Sequence, residues 1–217
     1  NIVFSSSAAI FGNPIHETID ENHPINPINT YGRTKFIIEE MLKDACRSYG
    51  INACSLRYFN AAGADEHACI GEKRNPETHL IPNILKSAID KSYKLKIYGN
   101  DYKTRDGTCI RDYIHVNDLA SAHVKAYKHI NLKKGYSAFN LGNGSGFSIL
   151  EIIRACEEVT GKNIKFDFCK KRDGDPPVLV ANSKKAIDVL EWEIQYPQII
   201  KIIETAWKWH QRLDTNE

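Results

Sequence analysis

Residues 27–49, PINTYGRTKFIIEEMLKDACRSY, decide the fold class because they join a helix signal to two side chains that can carry chemistry. Asn29 or Thr30 can cap the start of a helix. The apolar side chains after this cap recur at helical spacing. They predict a buried stripe made of Phe36, Ile37, Met41, Leu42 and Ala45.

Tyr31 and Lys35 are four residues apart, so they share one face of this predicted helix. A tyrosine with the reference pKa of ~10 is a poor base at neutral pH, but a fixed cation nearby favours the phenolate. The pair is therefore a candidate reaction centre. The alternative is a helix whose tyrosine packs and whose lysine extends to solvent, because Tyr-x-x-x-Lys is a short pattern.

The composition is that of an ordinary globular protein, with 217 residues, of which 42% are hydrophobic and 26% charged. This length allows one or two domains. The 29 basic and 27 acidic residues are well mixed, so the net charge of +2 indicates neither a nucleic-acid surface nor a membrane surface. No apolar run approaches the ~20 residues that span a bilayer, and no signal peptide is visible, so a cytoplasmic location is expected.

The six cysteines are scattered along the chain, without a Cys-x-x-Cys pair or a Cys/His cluster at zinc-ligand spacing. Reduced, mostly buried thiols are expected. His79 is expected to form hydrogen bonds at the start of a helix rather than bind a metal, because no second ligand is spaced for it. The sequence therefore predicts no metal site.

Predicted strands and helices alternate along the chain and form one α/β unit whose second half covers the first. A strand over residues 2–4, the helix of Tyr31 and a strand over residues 53–58 predict a parallel unit, and residues 59–64 follow as a small-residue loop. The remaining predicted strands are residues 95–98, 138–141 and 164–168. The remaining predicted helices lie around residues 84–89, 117–130 and 148–158, after Ser183, which is expected to cap its helix, and from Pro197 onward.

Small polar side chains follow the first two strands, namely residues 5–7 and Asn60. In doubly wound α/β folds, ligands bind at this edge of the sheet, so these groups can hydrogen-bond a sugar, a phosphate or the Tyr31 oxygen. A serine-rich turn and a turn-forming asparagine are the simple alternatives. The glycines of residues 142–146 do not complete a Gly-x-Gly-x-x-Gly dinucleotide turn, and Ser148 with Glu151 predicts a capping box instead.

Cationic side chains recur in the second half of the chain, at Arg111 and in the charged loop of residues 170–177. Together they can grip a diphosphate. An ordinary ion pair for Arg111 and a solvated turn for the loop are the alternatives.

Five ordered blocks place these residues in a common context. They begin at residues 4, 31, 56, 97 and 106 and read FSSSA, YGRTK, LRYFN, IYGNDY and DGTCIRDYIHVNDL. Together they closely resemble the UDP-glucose 4-epimerase family of extended short-chain dehydrogenases/reductases, over essentially all 217 residues. The last block is the most discriminating.

The resemblance implies an isomerase of galactose metabolism that inverts C4 of a UDP-hexose through a 4-keto intermediate, with NAD as cofactor. Tyr31 would remove the proton of the 4-hydroxyl, Lys35 would hold the nicotinamide ribose and tune Tyr31, and Ser7 would bridge the sugar hydroxyl and the phenol. Phe59 would contact the cofactor with these three residues. Substrate contacts are implied for Asn60, His79, Leu80, Lys96, Ile97, Tyr98, Arg111, Arg172, Asp175 and Leu179.

The resemblance also implies a partial Rossmann-like doubly wound parallel sheet with a smaller carboxyl-terminal substrate-binding α/β region, and a homodimer. Residues 1–64 are expected to form the carboxyl-terminal part of the NAD-binding Rossmann domain. Residues 65–217 are expected to be mainly a nucleotide-sugar-binding region, with some segments returning to the Rossmann sheet. Leu179 occupies the position of the sugar-pocket gate, where a large tyrosine restricts and a small residue admits N-acetylated sugars, so the resemblance leaves the substrate range open.

The family's amino-terminal part, with its Gly-rich turn and acidic ribose ligand, has no counterpart in these residues. The chain is therefore expected to be a fragment or a carboxyl-terminal remnant, and to be poorly folded, inactive or dependent on another chain when alone. The alternative functions are an inactive nucleotide-sugar-binding fragment and another nucleotide-sugar-modifying enzyme of the same fold.

Overall fold

Three parallel strands form the sheet that carries the first part of the chain. In the computed structural model, which describes residues 1–214, β1 (Ile2–Ser7) pairs with β2 (Ala53–Tyr58), and β2 pairs with β6 (Tyr136–Leu141). The register places Ser7 beside Tyr58 and Tyr58 beside Leu141, so the carboxyl ends of all three strands meet at one edge. The predicted parallel strand-helix-strand unit is confirmed, with a first strand that continues through the serines.

The connection between β1 and β2 is α1 (Thr30–Tyr49), which begins at the predicted cap. Asn29 Oδ1 accepts a hydrogen bond from Gly32 N at 2.8 Å. The prediction of its buried face is partly wrong, because Ile37 and Met41 are 50% and 64% exposed. The buried positions of this helix are Gly32, Glu39, Leu42 and Cys46.

The face of α1 was misassigned because a buried carboxylate takes the place of an apolar residue on the side that meets the sheet. Glu39 is 0% exposed, whereas the apolar side chains of Ile37, Ile38 and Met41 point away from the strands. Hydrophobic periodicity alone therefore selected a stripe rotated from the true one.

A second sheet is built around β5 (Ile110–His115), which pairs in parallel with β3 (Asn60–Ala62) and β9 (Val178–Leu179) and antiparallel with β7 (Gly146–Ser148). The prediction of a loop over residues 59–64 is therefore wrong in its middle. These small residues become a strand because β5 offers them an open edge. A third, two-stranded sheet pairs β4 (Leu95–Tyr98) in parallel with β8 (Phe166–Cys169).

The other helices are α2 (Leu80–Ile89), α3 (Val116–Leu132), α4 (Ile149–Thr160), α5 (Lys184–Leu190) and α6 (Ile199–Asp214). The capping box that opens α4 is confirmed, since Ser148 Oγ accepts from Glu151 N and Glu151 Oε2 accepts from Ser148 N. The expected cap of α5 is wrong, because Ser183 precedes this helix without a side-chain cap hydrogen bond. Its hydroxyl instead accepts a hydrogen bond from Gly142 N and donates one to Gly142 O, each at 2.9 Å.

Two main apolar clusters stabilise these elements. The first packs α2, α4 and α6 together above β4, and the second packs α3 and α5 against the first sheet. The largest fully buried side chains are Trp192, Phe11, Phe139, Ile10, Ile19, Leu56, Ile84, Leu85, Ile97, Ile114, Ile130 and Leu141.

The cysteines are free thiols, as expected, and Cys46, Cys54, Cys109 and Cys156 are buried. Cys69 is exposed and Cys169 half-buried. Within residues 1–214, the helices are too short or too polar to cross a bilayer.

His115 connects β5 to α6 through a fully buried imidazole. Its Nδ1 accepts from Asn117 N at 3.0 Å, its Nε2 lies 2.9 Å from Thr205 Oγ1, and its ring stacks on Tyr196 at 4.0 Å between centroids. Because Nδ1 accepts, Nε2 carries the proton of a neutral ring. Burial lowers the pKa of His115 from 6.5 to about 4.

This lowered pKa predicts acid sensitivity of the fold. Below pH 6.5 the unfolded chain takes up a proton at His115 that the folded chain does not take up until about pH 4, so stability is lost as the pH falls through this range. The loss is up to roughly 3 kcal/mol. In urea unfolding at pH 7 and pH 4.5, His115→Gln is expected to lose less stability than the wild type.

Other groups titrate in the same range, so the comparison needs a matched control. Burial raises the pKa of Asp112 to about 6, which acts in the opposite direction and is common to both proteins. His67→Gln replaces an exposed histidine and is expected to keep the wild-type acid loss. An equal acid loss for His115→Gln and the wild type would contradict the prediction.

Candidate active site

A cavity of about 670 Å³ opens at the carboxyl ends of β1 and β2 and extends to β4. It brings together most of the residues selected from the sequence, although they are spread over 169 positions of the chain from Ser7 to Asp175. Lys35 stands just behind this wall, and Leu179 packs on the apolar cluster around Phe11 instead of lining the cavity. The selected residues in the wall are Ser7, Tyr31, Phe59, Asn60, His79, Leu80, Lys96, Ile97, Tyr98, Arg111, Arg172 and Asp175.

The phenol of Tyr31 is open to this cavity, with 56% of the residue exposed. Lys35 Nζ donates to Ser5 O at 3.0 Å and lies 5.5 Å from the centre of the Tyr31 ring. The main chain of β1 therefore anchors the ammonium beside the phenol. Within the described part of the chain, no protein group hydrogen-bonds the Tyr31 hydroxyl, so it is available to a ligand.

Ser7 and Tyr31 line the same cavity, and Gly32 lets α1 approach the chain that follows β1. A Cβ at Gly32 would lie 2.3 Å from Ala9 O, which belongs to a 3-10 helix over Ala8–Phe11. Ser7 caps this short helix, as its Oγ accepts from Ala9 N at 3.2 Å. The Ser7 hydroxyl proton remains available to a sugar or to the phenol.

Tyr58 also lines the cavity, although no sequence pattern singled it out. Its hydroxyl lies 2.7 Å from Ser5 Oγ and 2.6 Å from His123 Nε2. Burial raises the pKa of Tyr58, so this phenol is a neutral hydrogen-bonding group. Its place at the carboxyl end of β2 was the available signal, because ligands bind at that edge.

The far end of the cavity is aromatic and cationic. The guanidinium of Arg172 lies 4.1 Å from the ring centre of Tyr98, which supports a cation–π contact. Arg111 forms an ion pair with Asp175 and donates to Ile110 O at 2.8 Å. Arg111 therefore forms the ordinary ion pair that was one of the two interpretations, and it also lines the cavity.

Three of the predicted substrate contacts already use part of their side chain in contacts within the protein. Asn60 Nδ2 donates to Asp112 O at 2.8 Å, which uses one of its two N–H donors. Ile97 is only 1% exposed and packs in the core beneath the cavity. Leu80 also packs partly on that core, whereas Lys96, which precedes Ile97 in the chain, is exposed.

His79 forms a hydrogen bond at the start of a helix, as expected, but its partner is a carboxylate of the preceding loop. His79 precedes α2, but its side chain makes no cap hydrogen bond, and Nδ1 lies 2.8 Å from Glu72 Oε1. Glu77 joins them, so that one ligand atom from each of the three residues lies within 4.8 Å of the others. Sequence spacing did not reveal this group because the polar loop of residues 65–79 has to fold before its carboxylates meet the helix start.

The charges of this group are satisfied by protein partners. Glu72 also pairs with Arg74 Nη2 at 3.2 Å, and the hydrogen bond from His79 holds the pKa of Glu72 below its usual range. Glu77 Oε1 accepts from the main-chain N–H groups of Thr78 and His79 at 2.7 and 2.8 Å. The group is therefore a charged rim of the cavity, and we assign no metal to it.

The residues around Tyr31 fit the ribose end of a nicotinamide dinucleotide. An exposed phenol, an ammonium with N–H donors beyond the one bound to Ser5 O, and the Ser7 hydroxyl offer donors and acceptors for ribose hydroxyls. Residues 1–217 contain no Gly-x-Gly-x-x-Gly turn for the dinucleotide diphosphate. These residues therefore fit the nicotinamide ribose of the cofactor but not its diphosphate.

Residues 1–142 match the profile of the NAD dependent epimerase/dehydratase family. The chain belongs to this family. The UDP-glucose 4-epimerase of Halalkalibacterium halodurans is 48% identical over 210 residues, which are 97% of this chain and 63% of that relative. The chain therefore spans less than two thirds of the length of this relative, and the resemblance drawn from the five blocks is confirmed.

Solved epimerase structures share the fold of this family member. The UDP-glucose 4-epimerase from Brucella ovis, in complex with NAD, is 47% identical with a TM-score of 0.90, over 95% of this chain and 63% of that one. The enzyme from Stenotrophomonas maltophila, with bound NAD and formylated UDP-arabinopyranose, is 36% identical with a TM-score of 0.94, over 100% and 65%. The predicted Rossmann-like α/β fold is confirmed.

Proposed function

We propose that this chain carries the catalytic base and the nucleotide-sugar site of an NAD-dependent UDP-hexose 4-epimerase. The observation that supports it most is the shared cavity, in which the Tyr31 phenol with the nearby Lys35 ammonium faces the same space as Arg111 and Arg172. A base at one end and cations at the other suit a sugar joined to a diphosphate.

In this proposal, Tyr31 removes the proton of the sugar 4-hydroxyl, and NAD, when bound, accepts and returns the hydride of C4. Lys35 favours the phenolate and holds the nicotinamide ribose. Ser7 bridges the sugar hydroxyl and the phenol, and Phe59 packs against the cofactor. The 4-keto sugar then turns over in the cavity, whose volume of about 670 Å³ is within the usual range for ligand sites.

The rest of the UDP-sugar binds along the cavity toward β4. Lys96, Ile97 and Tyr98 are proposed to meet the uracil, with Ile97 acting as a buried support. Arg111 and Arg172 are proposed to neutralise the diphosphate, and Asp175 orients Arg111 through their ion pair and meets the ribose. Asn60, His79 and Leu80 complete the wall beside the sugar and diphosphate.

The division of the chain follows from the same proposal. Residues 1–64 supply the catalytic edge of the NAD-binding domain, and residues 65–217 supply mainly the nucleotide-sugar region. The pairing of β6 with β2 supports the return of a later segment to the first sheet. Leu179, which packs behind the cavity wall, is proposed to influence the size of the sugar pocket through its neighbours around Phe11.

The test is an assay of the product of the complete open reading frame that encodes these residues. UDP-galactose, UDP-glucose and their N-acetylated forms are each incubated with NAD, and the epimer is measured by a coupled dehydrogenase. Interconversion of at least one pair is expected. Tight binding of NAD and UDP-sugar without interconversion would favour the alternative of a nucleotide-sugar-binding protein.

We also propose that the protein forms a homodimer through the outer face of α1. This face carries three neighbouring apolar side chains, Ile37, Ile38 and Met41, which are 50%, 37% and 64% exposed. Together they form an apolar patch, which single exposed apolar residues do not. Two copies of one helix face form a self-complementary twofold contact. Light scattering after gel filtration is expected to give twice the chain mass.

The substitution Met41→Glu places a charge at the centre of that contact and is expected to give a monomer. Ile70→Glu is the control, because Ile70 is 75% exposed in the loop of residues 65–79, outside α1. A Met41→Glu protein that keeps the wild-type mass would contradict this interface.

The free thiols support a proposed cytoplasmic location, since reducing compartments keep cysteines unpaired.

A further inference from the structure

A buried ion pair joins α1, which carries Tyr31 and Lys35, to β2. Glu39 on α1 is 0% exposed and Arg57 on β2 is 3% exposed. Arg57 Nε donates to Glu39 Oε1 at 3.0 Å, and Arg57 Nη2 donates to Glu39 Oε2 at 2.7 Å. This two-point contact fixes the orientation of both side chains.

The carboxylate of Glu39 joins α1 to all three strands of the first sheet. Ser6 Oγ donates to Oε1 at 2.6 Å from β1, and Tyr136 Oη donates to Oε2 at 3.1 Å from β6, in addition to Arg57 from β2. Burial alone would raise the pKa of Glu39. The hydrogen bonds and the charge of Arg57, together with the hydrogen bonds from Ser6 and Tyr136, outweigh burial and hold this pKa below its usual 4.5. The carboxylate is therefore charged at neutral pH.

The position of the network along the chain links it to the site. Glu39 follows Lys35 by one helical turn and Tyr31 by two, on the side of α1 that faces the sheet. Ser6 immediately precedes Ser7 on β1. The network thus connects the helix that carries Tyr31 and Lys35 to the strand end that carries Ser7.

Stability alone does not account for this choice of residues. A buried ion pair loses hydration that its attraction only partly returns, and apolar side chains of similar size often stabilise a core as well or better. Arg57 Nη1 is buried without a hydrogen-bond partner in the described part of the chain, and the guanidinium faces the Phe11 ring at 5.4 Å. An unsatisfied buried donor is costly, so another role has to offset it.

We propose that Glu39 and Arg57 are positioning residues that hold Tyr31 and Lys35 in register with Ser7 for proton transfer. The inference rests on the proposed epimerase function and assigns the pair no contact with substrate or cofactor. It acts through the two directed bonds between Glu39 and Arg57 and the bond from Ser6, which apolar side chains cannot replace.

The first test is Glu39→Gln, which keeps the shape of the side chain but turns an N–H₂ group toward Arg57 or Ser6. A shift of the helix by about 1 Å costs up to roughly 100-fold in rate, so kcat for UDP-galactose is expected to fall roughly 10- to 100-fold. KM is expected to stay unchanged, because the nucleotide contacts come from other elements. Ser6→Ala removes one bond from the carboxylate and is expected to lower kcat less.

The double variant Glu39→Leu/Arg57→Met separates positioning from stability. Apolar packing is expected to return the thermal unfolding midpoint to the wild-type value or above, whereas kcat stays low. Asp118→Asn is the matched control, because Asp118 is a buried carboxylate that accepts from Gln195 N and Tyr196 N, away from the cavity. It is expected to lower the midpoint and leave kcat unchanged.

Three results would overturn the inference. The first is a double variant with wild-type kcat. The second is a Glu39→Gln protein whose kcat equals that of Asp118→Asn when the two have the same thermal unfolding midpoint. The third applies if Glu39→Gln does not fold, and is a Ser6→Ala protein with wild-type kcat. The wild type is measured first, so an inactive wild type refutes the proposed function, whereas an active wild type with unaffected variants refutes only the positioning.

Discussion

Replacing Tyr31 by phenylalanine is expected to lower kcat for UDP-galactose roughly 1,000-fold, with little change in KM. The substitution removes only the phenolic oxygen, which is the proposed base, and a positioned acid or base contributes ~100- to 10,000-fold to a rate. The ring and the approach of Gly32 to Ala9 remain. The measurement is the initial rate of UDP-glucose formation at saturating UDP-galactose.

Tyr127→Phe is the matched control for this prediction. Tyr127 lies on α3, is 56% exposed like Tyr31, and lies outside the cavity wall. It is expected to keep the wild-type kcat, which shows that loss of an exposed phenol is harmless elsewhere. A Tyr31→Phe protein that keeps most of the wild-type kcat would show that Tyr31 is not the base. It would also contradict the proposed role of Lys35 in favouring the Tyr31 phenolate.

Replacing Arg111 by methionine is expected to raise KM for UDP-galactose roughly 10- to 100-fold, with a smaller effect on kcat. A hydrogen bond to a charged group contributes about 1.5–3 kcal/mol, and the proposed contact of Arg111 is to the diphosphate, remote from the reacting carbon. The substitution also leaves Asp175 without its partner. Steady-state kinetics and isothermal titration with UDP measure the effect.

Two comparisons control the Arg111 prediction. Arg105 also pairs with a carboxylate, that of Glu151, but lies outside the cavity wall, so Arg105→Met is expected to leave KM unchanged. Asp175→Asn keeps the Arg111 guanidinium and weakens the ion pair, so it reports the combined effect on KM of the lost pair and of the proposed ribose contact of Asp175. If Arg111→Met binds UDP as tightly as the wild type, Arg111 serves the fold and the diphosphate site lies elsewhere.

Local signals in the sequence were sufficient for much of the fold. The cap at Asn29 and the box of Ser148 and Glu151 each depend on residues within one helical turn, and both are confirmed. The parallel pairing of β1 with β2 follows from an intervening helix of ordinary length. The features that failed depend on partners more than one helical turn away along the chain.

Glu39 and Asn60 show why the rest was not predictable. Glu39 reads as a surface residue until Arg57, 18 positions later, enters the same interior. Asn60 begins a strand only because β5, about fifty residues later, offers an edge. Similarly, Glu72 meets His79 only after the loop between them has folded. The cavity itself was foreseen through the resemblance, which already placed distant residues around one substrate.

The central claim is epimerisation at C4 with the same hydrogen returned to the carbon. Its most direct test is proton NMR of UDP-galactose incubated with NAD and the product of the complete open reading frame in deuterated water. Conversion to a mixture with UDP-glucose, or of UDP-N-acetylgalactosamine to its epimer, is expected, with the C4 hydrogen retained as protium. Absence of interconversion for both sugar pairs, or deuterium at C4 of the product, would contradict it.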